Sequence, residues 1–142
     1  MNRQFASLVL AGATTLLAGC QLDWVRDHPL GCRADEQALT RDVLYFGRSI
    51  PGGGEVDEAA WQRFEHDVLS PAFARGYTVL DAHGRWQDAS GATIGEASRV
   101  VVLVHGDDLE SAKAVRDVVV RYKTMFRQES VLRERGVVCA AF

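Results

Sequence analysis

Beyond the first twenty residues, the most apolar stretch of the chain is Val100-Val101-Val102-Leu103-Val104, set between Arg99 and His105. A continuous apolar run bounded by turn signals predicts a central strand buried on both faces. Such a strand needs neighbouring strands and a layer of other elements packed against it.

The surrounding sequence supplies them. Residues 43–48 are β-branched and aromatic, and Pro51-Gly52-Gly53-Gly54 stops that strand. A helix is predicted over 57–69, with Asp57 as N-cap, Trp61, Phe64 and Val68 on one stripe, and Pro71 as terminator. Residues 76–86 read as a partly exposed strand, and Asp88-Ala89-Ser90-Gly91 as a turn into the strand at 99–105. A second helix opens at Gly106-Asp107-Asp108, where Asp107 and Glu110 have capping-box spacing. Its buried stripe is Val115, Val118, Val119, Tyr122 and Phe126. The last strand begins near Gln128 and ends around Cys139.

Strand, helix, strand, strand, helix, strand is the order of the split βαβ unit. It predicts an α+β, ferredoxin-like βαββαβ sandwich, an antiparallel sheet with two helices on one face. In this reading strands one and three are central neighbours that run parallel, and strand four is antiparallel to strand one.

The N-terminus is of a different kind. Arg3 is followed by an uncharged apolar or small stretch from Phe5 to Leu16, then Leu17-Ala18-Gly19-Cys20. That is the pattern of an export signal, too short to span a bilayer as a stable helix. Leu-Ala-Gly-Cys looks like a lipobox, in which the cysteine is acylated and becomes the new N-terminus. The expectation is a lipoprotein signal peptide over 1–19, a lipidated tether over 20–41 and the ferredoxin-like domain over 42–142. Cys20 would then hold the chain to a membrane, since dual acylation gives stable anchoring. A single arginine favours the general secretion route over the twin-arginine one. Gln21, rather than Asp, at the second mature position leans toward the outer membrane. Trp24, in the tether, has two open readings: docked on the domain, or placed at the lipid interface.

Cleavage before Cys20 removes one of 16 basic residues and none of 19 acidic ones, leaving a net charge of about −4. A mildly acidic surface argues against nucleic-acid binding. Cys32 and Cys139 remain, and two cysteines in an oxidising compartment are expected to pair.

The domain also carries a family resemblance. Leu44-Tyr45-Phe46-Gly47-Arg48, Trp61 with Phe64, Pro71, Thr78-Val79-Leu80-Asp81-Ala82, Gly84 with Trp86, Val104-His105 and the segment from Phe126 to Leu132 carry it. Together they resemble a family of bacterial envelope proteins known as a domain of unknown function, number 3574. Arg127 departs from the pattern, which leads one to expect glycine there. The resemblance implies a single-domain lipoprotein. It brings no activity and no catalytic residue.

No catalytic motif, phosphate loop or paired-histidine metal spacing is present, so no cofactor or metal is expected. His105 ends the central strand just before a helix. Arg48-Ser49 end the first strand, and Glu129-Ser130 start the last. With strands one and three parallel, Arg48, Ser49, His105, Glu129 and Ser130 would converge at one sheet end and could hold a small polar ligand. A plain Arg48–Glu129 ion pair is the simpler alternative. The sheet face away from the helices could carry some of Tyr45, Phe46, Tyr77 and Trp86. It would then need cover, from a second copy in a homodimer or from the tether. Three functional readings follow. The first is a non-catalytic envelope lipoprotein that binds a partner or small ligand. The second is a small periplasmic enzyme using the His105, Glu129 and Arg48 corner. The third is a structural dimer.

Overall fold

The first strand, β1, runs Gln37–Gly47, and its side chains alternate between two environments. Thr40, Asp42, Leu44 and Phe46 are buried on one face. Arg41, Val43 and Tyr45 stand on the other, as the period of two in a strand requires. The structure is a computed structural model and describes residues 31–87 and 90–142. The stretch expected to be an export signal, with Cys20, Gln21 and Trp24, lies outside the described residues.

β1 starts inside the segment expected to be tether. Its first half was hidden because Asp42, a charge, occupies a buried-face position and breaks the apolar alternation. The first helix, α1, is α-helical over Glu58–Phe64, π-helical over Glu65–Leu69 and α-helical again over Ser70–Ala72. Asp57 caps it, its Oδ1 accepting from Ala60 N at 2.7 Å. Pro71 does not stop the helix where expected. Its ring would meet the carbonyl of Asp67, four residues back, and the widened π turn makes room for it.

β2 (Thr78–Gln87) and β3 (Thr93–His105) form a long hairpin. Then come α2 (Leu109–Phe126) and β4 (Leu132–Ala140). The N-cap of α2 is Asp108 rather than Asp107, with Oδ1 accepting from Ser111 N at 2.7 Å. The helix ends at Arg127, whose φ of 52° is left-handed, the conformation that makes glycine the usual residue there.

The sheet order is β2-β3-β1-β4 and every pairing is antiparallel. The fold is therefore the expected ferredoxin-like α+β sandwich. The pairing of β1 with β3 is the exception, antiparallel where parallel was expected. A helical crossover returns β2 in the direction of β1, and the hairpin then reverses β3.

Helix-face residues of the sheet pack on the two helices. Leu44, Phe46, Val101 and Leu103 meet Trp61, Phe64, Leu69, Val115, Val118 and Tyr122. The aromatic rings pack tilted or edge to face on one another, Phe46 and Tyr122 edge to face at 4.7 Å between centroids. Phe46 is thus core, not open face. Arg99, on the same face, is paired with Glu58 and Asp81 and lies over the Trp61 ring. Glu65, carried by the π turn, accepts from Trp61 Nε1 at 3.0 Å and Tyr77 Oη at 3.1 Å. Cys32 and Cys139 form a disulfide with Cα atoms 5.4 Å apart, closing a separation of 107 residues. Among the described residues no helix is long and apolar enough to cross a membrane.

Candidate functional site

The antiparallel pairing of β1 and β3 separates the residues expected to converge. Thr40 at the start of β1 pairs with His105, and Gly47 at its end pairs with Ser98. β4 begins at Leu132 opposite Tyr45. Arg48, Ser49, Glu129 and Ser130 therefore lie at the end of β1. His105 lies at the other end, about 24 Å along the strand at ~3.4 Å per residue. The corner built from His105, Arg48 and Glu129 does not form.

At the first of these ends the backbone is closely tied. Arg48 Nε donates to the Val56 carbonyl at 2.8 Å, and its Nη2 lies 3.2 Å from Glu55. The ion-pair partner of Arg48 is thus Glu55 and not Glu129. Ser49 N donates to Glu96 Oε1 at 2.8 Å, and Gln128 Nε2 donates to the Ser49 carbonyl at 2.7 Å. Gly52, Gly53 and Gly54 all have positive φ and form the exposed turn between Ser49 and Glu55. Glu129 and Ser130 are exposed and take no part in these bonds.

At the opposite end His105 belongs to a cluster centred on Asp42, a residue that sequence reasoning did not single out. Asp42 is 0% exposed. Arg133 grips it with two bonds, Nε to Oδ1 at 2.7 Å and Nη2 to Oδ2 at 2.9 Å. His105 Nε2 lies 2.9 Å from Oδ2, and Arg135 Nε lies 3.7 Å from the same oxygen. The other ring nitrogen of His105 is 2.7 Å from the Gly106 carbonyl. Both ring nitrogens face acceptors, so only the doubly protonated imidazole donates to both. Burial pushes the Asp42 carboxyl up. The hydrogen bonds from Arg133 and His105, with the charges of Arg133 and Arg135, outweigh that and hold it below the ordinary carboxylate range. Both Asp42 oxygens and both His105 ring nitrogens face partners, and the cluster joins β3, β1 and β4. The cluster clasps the three strands together. The sequence did carry a signal for it. Asp42 shares parity with Leu44 and Phe46, and Arg133 and Arg135 share parity with each other on a neighbouring strand.

On the other side of the sheet a cavity of about 200 Å³ opens between β1 and β4, lined by Arg41, Val43, Glu134, Arg135, Gly136 and Val138. Gly136 pairs with Arg41 and has no side chain to fill the space. Tyr45 Oη donates to Glu134 Oε1 at 3.1 Å. That bond is the main cause holding the Tyr45 phenol above its ordinary value. Cys32, Glu36 and Cys139 also bring metal-type donors together, but both sulfurs are consumed by the disulfide.

A family profile described as "Protein of unknown function (DUF3574)" matches residues 41–142. No curated protein sequence matches the chain. Among solved structures it is similar to a phage SAM lyase in complex with S-methyl-5'-thioadenosine. The identity is 14%, over 73% of this chain and 90% of that one, with a TM-score of 0.54. The apo state of a phage SAM lyase matches at 15% identity, over 74% and 90%, with a TM-score of 0.53. At such identities the likeness speaks to the fold alone.

Proposed function

Because the chain belongs to the DUF3574 family, which carries no assigned activity, we propose its role from its own residues. It is an exported, lipid-anchored envelope protein whose domain is a non-catalytic binding module. The observation that carries this reading is the Cys32–Cys139 disulfide, a bond that persists in oxidising compartments. The sequence adds Leu17-Ala18-Gly19-Cys20 near the N-terminus. The non-catalytic part is supported by the Asp42 cluster, in which His105 and Asp42 bond to each other, to Arg133 and to Gly106. The binding surface in this reading is the sheet face opposite the helices, around the cavity at Arg41 and Gly136.

Metabolic labelling with a fatty acid, followed by membrane fractionation, tests the anchor. The natural protein takes up label and sediments with membranes, in the outer-membrane fraction. Cys20→Ala takes up none and is released. Equal labelling of the two proteins defeats the reading.

A further inference from the structure

We propose that the open sheet face is a homodimer interface that seats a second copy of this chain with two-fold symmetry. The inference names the partner of the surface just described and rests on that part of the reading. It is independent of the anchor.

The face is apolar and accessible. Val43 and Val100 form its floor and are already buried. Around them Leu80, Val104 and Leu132 are 51%, 38% and 60% exposed. They come from β2, β3 and β4, and the pairings Leu80↔Val100, Val104↔Arg41 and Leu132↔Tyr45 put them on one side of the sheet. Four strands at ~4.8 Å and eight residues at ~3.3 Å give a footprint of roughly 500 Å². Two copies then bury at least ~1,000 Å², the threshold of a specific though modest interface.

Charge selects the occupant. Arg41 pairs with Gly136 and Val43 with Glu134, so Arg41 and Glu134 are diagonal neighbours on this same face. They make no ion pair with each other. Among the described residues Arg41 has no carboxylate partner, and Glu134 takes only the Tyr45 hydroxyl. One unpaired cation and one unpaired anion on an apolar face are self-complementary. In an isologous dimer Arg41 of each copy meets Glu134 of the other, and the contact occurs twice. The empty volume over Gly136 lies between them and leaves room for the incoming guanidinium.

Charge swaps test this in the full-length chain, using two differently tagged copies expressed together, solubilised in detergent and captured through one tag. Natural copies co-isolate. Arg41→Glu in both copies sets carboxylate against carboxylate at both contacts, and Glu134→Arg in both sets guanidinium against guanidinium. Each cuts co-isolation by at least about tenfold. An Arg41→Glu copy mixed with a Glu134→Arg copy restores it. One cross-contact then pairs the two natural side chains and the other pairs the two introduced ones, each opposite in sign. Leu132→Asp, at an exposed position, abolishes it. The restored mixed pair shows that the single variants still fold. Natural copies that fail to co-isolate, or a mixed pair that stays apart, overturn the proposal. Fatty-acid labelling of Cys20 is a separate measurement, so failure of the anchor and failure of the interface are read independently.

Discussion

Asp42→Asn is the sharpest test of how this domain is held together. The substitution keeps the volume and removes the charge. Asp42 accepts three charge-assisted bonds, at 2.7, 2.9 and 2.9 Å, with no exposure of its own. Asparagine keeps one acceptor and turns an NH2 group toward the donors of Arg133 or His105. Removing one partner of a buried ion pair costs ~3–5 kcal/mol. The Arg133 side chain is 26% exposed and regains some water, which lowers the expected loss to about 3 kcal/mol. That is a large share of a net stability of ~5–15 kcal/mol. Urea unfolding followed by tryptophan fluorescence at pH 7 measures it.

The pH dependence supplies the second arm of the same test. The folded carboxyl of Asp42 lies below its ordinary range. It therefore adds stability above the unfolded value of ~3.9, and loses it as pH falls through the folded value. The gap between natural protein and Asp42→Asn is wide at about pH 5 and narrows as the pH falls below that unfolded value. Other carboxylates titrate in both proteins and cancel in the difference. A loss below ~1 kcal/mol at pH 7, or a gap unchanged across that acid range, refutes the clasp.

Cys139→Ser opens a link spanning 107 residues and should destabilise the domain by about 4–5 kcal/mol on the chain-entropy treatment. In the natural protein, unfolded without reductant, neither Cys32 nor Cys139 takes up a thiol reagent, and alkylation of both contradicts the pairing. Arg127→Gly removes a side chain from a left-handed helix end and should raise stability by about 1 kcal/mol. A lower melting temperature in that variant contradicts the strain assigned to Arg127.

Much of this protein was legible from local sequence. Val100 to Val104 announced a central strand, because an unbroken apolar run has no polar face to give to water. Trp61 and Phe64, and Val115, Val118 and Tyr122, announced helix faces through their spacing. Each of these signals lies within a few residues, and each element's type followed from it. The edges of the elements were less visible. Asp42 hid the start of β1, because a charge reads as surface until its partners are known. Arg133 and Arg135, the cations that make its burial tolerable, lie about ninety residues away. Pro71 read as a stop, because the adjustment that spares it is a widened turn with no residue signature. The position of the site was decided only in three dimensions. Strand direction follows from how crossovers and hairpins add up, and one reversal sends His105 to the far end of the sheet from Arg48. The same parity of side chains that builds the core also leaves Arg41 and Glu134 together on the opposite face. Local sequence specifies what each element is, because propensity and periodicity act between near neighbours. Which residues meet is set by register and direction between strands, and those belong to the sheet as a whole.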